Sequence, residues 1–144
     1  MASKAYGQFI GKALNKEIDW DSDDIKVMLV SSAYSPNQDT HDYLDDVVAN
    51  EVSGTGYTAG GVSLTGKTNT YDAATNTIVL DAADVTWPNS TVTARYAVLY
   101  NNSGASNATK PLIAYVDFVS DQSSTAGNFT ITWDPAGIVR ATTA

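Results

Sequence analysis

The second half of the chain alternates between apolar and polar residues with a period of two, and this pattern most constrains the fold. In residues 91–100 the even-numbered positions are apolar, while Thr91, Thr93 and Arg95 occupy the other face. Side chains of a β-strand point alternately to opposite faces of a sheet, so such a run predicts a strand with one buried face. Similar runs, separated by turn-rich segments, occur at 77–80, 112–118 and 129–133. Several short strands of this kind are typical of an antiparallel β-sandwich or barrel-like domain.

The first 18 residues predict an amphipathic N-terminal helix. Ser3 can cap this helix, and apolar residues follow at helical spacing. A helix of this kind gains its stability by packing, either on its own sheet or on a neighbouring subunit. For the second case, the candidate assembly contacts are Tyr6, Phe9, Ile10 and Leu14, which we expect to form an exposed stripe along the helix in an unassembled subunit.

Two further elements complete the predicted domain. The apolar run 25–30 lies between turn-forming residues and predicts a buried strand. One further short helix is predicted from Asp39 to about Val48, with Asp39 and Thr40 at its N-terminus. A chain of 144 residues without an internal repeat or a linker fits a single domain. Residues 1–18 then form an N-terminal helix or arm, and residues 19–144 form the β-rich body.

Charge and cysteine content exclude several functional classes. The net charge is −8, and ten of the 16 acidic residues lie in residues 17–51. We therefore expect no direct nucleic-acid partner, because binding phosphates requires clustered Lys and Arg. With no cysteine and one histidine, the chain offers neither disulfides nor thiolate or His-rich metal sites. Apolar runs are far shorter than the roughly 20 residues that span a bilayer, so no membrane partner is expected either.

Three local motifs suggest chemistry, and their context argues against it. Gly54-x-Gly56-x-x-Ala59 matches a relaxed dinucleotide fingerprint, but that motif requires a preceding strand and a following helix, which the pattern here does not predict. Residues 19–24 begin like a calcium loop, yet they lack the glycine and the glutamate that an EF-hand requires. Whether these aspartates bind a cation at a subunit junction stays open. His41 lies beside aspartates, but no nucleophile elbow accompanies it. We predict no catalytic, cofactor-binding or metal-binding residues and no enzymatic activity.

Eight tyrosines and three tryptophans leave carbohydrate binding as an alternative. Aromatic rings on a surface can stack on sugars. However, Tyr96, Tyr100, Phe129 and Trp133 fall on the apolar faces of the predicted strands, where aromatic residues usually contribute to the core.

Several segments resemble small structural proteins of tailed-bacteriophage virions. The resemblance extends over nearly the whole chain. It rests on the residues at 19–23, 25–29, 35–41, 51–62, 94–98 and 130–134, which include Asp-Trp-Asp-Ser-Asp, Ser-Pro-Asn-Gln-Asp-Thr-His and Thr-Ile-Thr-Trp-Asp.

The resemblance implies a virion location and an assembly role without catalytic residues. Within the virion, a capsid decoration (cement) protein fits best, since such proteins are small, acidic to neutral, β-rich and often trimeric. The implied partners are the major capsid protein or other virion proteins, and further copies of the chain, with a trimer favoured. A tail or head-fibre component and a carbohydrate-binding receptor-recognition module are the alternatives. A tail-tube subunit would be expected to have a long flexible hairpin, which the sequence does not indicate.

Overall fold

Two antiparallel sheets form the framework of the computed structural model, which describes residues 2–143. The large sheet has the strand order β1-β7-β6-β2-β3, and the small sheet has the order β4-β5-β8. The strands are β1 (Ala2–Ala5), β2 (Ile25–Val30), β3 (Val62–Ser63), β4 (Thr68–Asp72), β5 (Thr77–Asp81), β6 (Val85–Asn101), β7 (Leu112–Ile131) and β8 (Val139–Thr142). The predicted mainly antiparallel β fold is confirmed.

Strands β6 and β7 form a hairpin that is much longer than the sequence pattern suggested, with 17 and 20 residues. Its turn, residues 102–111, is fastened to the rest of the chain. The Asn101 side-chain amide donates hydrogen bonds to the Asp23 carboxylate and to the Glu17 carbonyl. The Asn102 amide donates to the Asp24 carboxylate at 2.9 Å. The turn of this hairpin is therefore held against the rest of the domain and does not project freely into solvent.

The alternation predicted for residues 91–100 changes face in the middle of β6. Val92 and Ala94 belong to one core cluster, whereas Val98 and Tyr100 belong to the other. The change coincides with a β-bulge, since Ala94 pairs with Gln122 while Tyr96 pairs with Asp117. A bulge adds residues to one strand and bends it, so that side chains beyond the bulge are redirected.

The large sheet is buried on both faces. One cluster lies between the two sheets and includes Val27, Leu99 and Trp133. The other cluster lies on the opposite face and includes Met28 and Tyr100, with side chains from residues 34–47 packed over it. Because both faces are covered, consecutive residues of the central strands are apolar and buried, as in the run 27–30 of β2.

The N-terminal segment differs from the predicted continuous helix. A short helix is present, α1 (Phe9–Leu14), but the residues before it form β1, which pairs with residues 114–117 of β7. The open edge of β7 supplies backbone hydrogen bonds there, and this overrides a weak helical preference. The further short helix predicted over 39–48 is also different: two 3₁₀ turns, Leu44–Asp46 and Val48–Asn50, occupy its place.

Two glycine substitutions should change stability in opposite directions. Gly61 is buried with φ of +75°, and a Cβ built on it would lie 1.9 Å from the carbonyl oxygen of Val27. Gly61→Ala should therefore lower the free energy of unfolding by more than the roughly 1–2 kcal/mol that left-handed backbone costs alone. Gly11 lies in α1 with nothing within 4 Å of the added Cβ. Gly11→Ala should raise stability by about 0.5–1 kcal/mol. Urea unfolding of both variants checks this, and equal shifts would contradict it.

Candidate functional site

A concave, mainly apolar groove with a volume of about 720 Å³ lies between α1 and the small sheet. One wall is α1, with Ile10 and Ala13; the other is the small sheet, with Ile78 and Ala141. The aspartate-rich turn at 19–23 closes one end. We call this feature the α1 groove.

Four of the five exposed large apolar side chains of residues 2–143 lie in or beside the α1 groove. Ile10 and Ile78 are lining residues and are 48% and 36% exposed. Leu14, 79% exposed, follows Ile10 by one helical turn and so lies on the same side of α1. Tyr71, 56% exposed, pairs directly with Ile78, so both side chains share one face of the small sheet. We call these four residues the apolar patch.

The structure separates the four candidate contacts of the N-terminal segment into two pairs. Tyr6 and Phe9 are buried, at 1% and 3% exposure, and belong to the two different core clusters. The prediction that they form an exposed stripe is therefore wrong, because β1 and the start of α1 are integral parts of the domain. Ile10 and Leu14 do face outwards. Their role in assembly stays a prediction.

A lysine fixes the orientation of α1. The Lys12 Nζ lies 3.4 Å from the Asp42 carboxylate, 3.9 Å from that of Glu17 and 3.5 Å from the centre of the Tyr43 ring. Tyr43 also donates its hydroxyl hydrogen to Glu17. Burial opposes the charge on Lys12, but the contacts with Tyr43 and Asp42 outweigh it, so the pKa of Lys12 is raised. With Lys12 held inwards, Ile10 and Leu14 face solvent.

The aspartates at the end of the α1 groove build a turn. One carboxylate oxygen of Asp19 accepts hydrogen bonds from the backbone N–H groups of Asp21 and Ser22, and the Asp23 carboxylate accepts one from the backbone of Asp19. The side-chain and backbone hydrogen bonds from Ser22 hold the pKa of Asp19 below its usual value. Within residues 2–143, no three His, Cys, Asp or Glu side chains are placed together so that they could hold a metal ion. The groove therefore has an acidic end next to its apolar walls.

His41 is engaged by neighbours other than the aspartates beside it in the sequence. Its Nδ1 lies 2.8 Å from the Tyr34 hydroxyl and accepts a hydrogen bond from the backbone N–H of Asn37. The Tyr34 hydroxyl also lies 2.9 Å from that of Tyr6. In the described structure, the hydrogen bonds of His41 therefore hold the 34–41 loop together and, through Tyr34 and Tyr6, connect it to the core.

The glycine-rich loop at 54–61 packs tightly on neighbouring strands. A Cβ on Gly54 would lie 2.2 Å from the carbonyl oxygen of Thr91, and one on Gly56 would lie 2.9 Å from that of Asn89. The Glu51 carboxylate accepts hydrogen bonds from the Tyr57 hydroxyl and from the backbone N–H of Gly60. Strand β3 follows the loop, so the helix N-terminus that a dinucleotide fingerprint requires is replaced by a strand. Here the glycines allow close backbone packing.

The aromatic side chains are mostly in the core, as predicted. Tyr100, Phe129 and Trp133 are buried and Tyr96 is partly buried. Among the aromatic residues of the described chain, only Tyr71 is exposed. Tyr71 and Ile78 were not singled out from the sequence. The sequence carried no signal for Ile78, because alternation places it on the same face as Leu80, which is buried in the core; Ile78 is exposed since the end of that face is left uncovered beside α1.

Comparisons with protein-family models, curated proteins and solved structures found no match for this chain. No helix formed by residues 2–143 has both the length and the apolar character needed to span a membrane.

Proposed function

We propose that this chain is a non-enzymatic structural protein of a tailed-bacteriophage virion, and more specifically a capsid decoration protein that binds and reinforces the head shell. The observation that carries this proposal is the apolar patch of Ile10, Leu14, Tyr71 and Ile78 beside the α1 groove. The resemblance of many segments to tailed-phage virion proteins supplies the biological context.

The apolar patch has the physical character of a surface for another protein. Monomeric proteins rarely expose large contiguous apolar areas, and such patches with polar rims often mark sites of interaction. The patch is also rigid. Lys12 contacts Asp42 and Tyr43 and so holds α1 in place, and Tyr71 and Ile78 are paired with each other in the β4–β5 hairpin. A preformed surface loses little conformational entropy on binding, which favours a static assembly contact.

The observations support the alternatives less well. Tyr71 is the only aromatic residue of the described chain in the exposed class, whereas carbohydrate-binding surfaces that stack on sugars use exposed aromatic rings. A tail-tube subunit is expected to have a long flexible hairpin, and the long β6–β7 hairpin has its turn anchored through Asn101 and Asn102. The contacts of His41 with Tyr34 and Asn37 are those of a structural residue.

Binding to phage particles tests the proposal. Particles assembled from a genome that lacks the gene for this chain should bind the purified wild-type protein and should then resist heating better. The double variant Ile10→Asp/Leu14→Asp should bind at least about ten-fold more weakly, since burying one such side chain contributes about 1.5–3 kcal/mol. Both side chains are exposed, so the variant should fold normally. Co-sedimentation with the particles measures the binding.

Ala105→Asp provides the control, because Ala105 is exposed in the 102–111 turn and receives the same kind of charge. It should bind like the wild type. Absence of the chain from wild-type particles, by mass spectrometry of purified virions, would overturn the virion assignment. Equal binding by the double variant and the control would remove the apolar patch from the proposal.

A further inference from the structure

The α1 groove is apolar along its walls and acidic at one end. Ile10 and Ala13 line one wall, and Ile78 and Val139 line the other. Three carboxylate side chains belong to the lining at the remaining end, those of Asp19, Asp21 and Asp23. We call these three residues the acidic end. A groove of this kind presents two different chemical requirements to whatever fills it.

The negative charge at the acidic end is only partly balanced by neighbours. Lys16 is the only lysine among the described residues that line the groove. Lys67 also lies close, and its Nζ donates a hydrogen bond to the backbone carbonyl of Asp23. The hydrogen bonds of the turn engage the carboxylates of Asp19 and Asp23, whereas Asp21 contributes only its backbone N–H. The exposed Asp21 carboxylate is therefore available to a cation next to the apolar walls.

The apolar patch extends beyond the groove, which favours a polypeptide segment as the occupant. Leu14 and Tyr71 belong to the patch, but neither lines the groove itself. A small molecule that filled the groove would leave both side chains in water, whereas a polypeptide segment can cover the groove and its flanks together. Removing apolar surface from water favours association roughly in proportion to its area. An amphipathic segment laid in a groove is a recurring mode of peptide recognition.

Charge favours a different protein over a second copy of this chain. Each copy carries a net charge of −8, so two copies repel each other. The fifth exposed large apolar side chain of residues 2–143, outside the apolar patch, is Val119. Val119 lies between Asp117 and Asp121 in the sequence, so it would bring negative charge to an acidic groove.

We propose that the α1 groove receives an amphipathic segment of another protein, with apolar side chains along the walls and a lysine or arginine against the acidic end. This inference deepens the proposed function and rests on it for the source of the segment, the major capsid protein. Complementary charges across an interface contribute specificity and orientation more than affinity. The apolar contacts therefore hold the segment, and the acidic end fixes the direction in which it lies.

A library of random peptides displayed on beads tests the chemistry of the occupant without any phage component. Peptides are selected that bind the wild-type chain and do not bind Ile10→Asp/Leu14→Asp. This variant keeps the acidic end, so peptides held by charge alone bind it as well and are removed. The selected peptides should be rich in large apolar residues, with lysine or arginine to one side of them. Selected peptides that are neutral or acidic overturn the inference, and so does the absence of any selected peptide.

Charge reversal at the acidic end tests the ionic contact. Asp21→Lys should bind a selected peptide at least about three-fold more weakly than the wild type, as loss of an exposed ion pair predicts. Added salt should weaken the binding of the wild type more than that of the variant. Asp121→Lys is the control, because Asp121 is also exposed, does not line the groove and gives the same change in net charge. It should bind like the wild type, and equal effects of the two substitutions overturn the inference.

Sedimentation equilibrium shows whether a second copy is the occupant. The wild type should have the mass of one chain, 15.2 kDa. A dimer that Ile10→Asp/Leu14→Asp dissociates would overturn the inference. Particle binding decides the proposed function separately. If the chain is absent from virions but the peptides behave as stated, the proposed function fails and the chemistry of the groove stands. If particles bind Asp21→Lys and Asp121→Lys equally well, the inference fails and the proposed function stands.

Discussion

Replacing Tyr6 by alanine is expected to lower the free energy of unfolding by about 3–5 kcal/mol, the range for deleting a buried aromatic ring. Tyr6 is 1% exposed, its ring lies 5.3 Å from that of Tyr115, and its hydroxyl lies 2.9 Å from that of Tyr34. A domain of ordinary stability has only about 5–15 kcal/mol in total, so the loss is a large fraction of it. Urea unfolding measures the change.

Leu14→Ala is the matched control for Tyr6→Ala. Leu14 belongs to the same N-terminal segment but is 79% exposed, so its substitution should change the free energy of unfolding by no more than about 0.5 kcal/mol. Tyr6→Phe, which removes only the hydroxyl, should cost about 1 kcal/mol through the lost hydrogen bond. If Tyr6→Ala and Leu14→Ala had equal effects, the N-terminal segment would not be docked in the core in solution.

The protein should lose stability steeply between pH 10 and pH 12 because it buries tyrosines. Burial raises the pKa of Tyr34 and of Tyr100 to about 12 from 10.0. Burial also raises the pKa values of Tyr6 and Tyr57. A tyrosine whose pKa is higher in the folded protein than in the unfolded chain contributes its full stabilisation at pH values below the unfolded pKa. That contribution is lost as the pH rises through the folded pKa. For Tyr34 and for Tyr100, a pKa raised from 10.0 to about 12 corresponds to about 2.7 kcal/mol of stability.

Urea unfolding as a function of pH measures this loss, and near-ultraviolet absorbance of the phenolate follows the ionisation. Tyr100→Phe removes one titrating group, so its stability should fall less between pH 10 and pH 12, by up to about 2.7 kcal/mol. Leu14→Ala leaves every tyrosine in place and should follow the wild-type profile. A stability that stays level up to pH 12 would contradict the burial of these hydroxyl groups.

Sequence reasoning predicted the fold class because alternation reports burial directly. The runs at 77–80 and 129–133 are within or continuous with strands, and Phe129 and Trp133 are buried as their positions suggested. Alternation does not report where a strand changes partners or bends. The bulge between Ala94 and Tyr96 therefore reversed the face of half of β6 without a signal in the pattern.

The candidate site was predicted in part. Ile10 and Leu14 belong to the apolar patch, whereas Tyr6 and Phe9 do not. Helical periodicity placed all four on one face, but it could not show that residues before Phe9 would pair with β7 as a strand. Tyr71 and Ile78 join the patch only because the β4–β5 hairpin lies beside α1, which is a contact between segments distant in sequence.

The sequence by itself determined that the chain is an acidic, cysteine-free, mainly antiparallel β protein with an aromatic core. Those properties follow from composition and from local periodicity. Only the tertiary structure decided that residues 2–5 become a strand and that α1 and the small sheet enclose an apolar groove. The physical reason is that both features depend on contacts between segments distant in sequence, which determine the backbone groups and apolar faces that stay unpaired. The local sequence pattern does not contain that information.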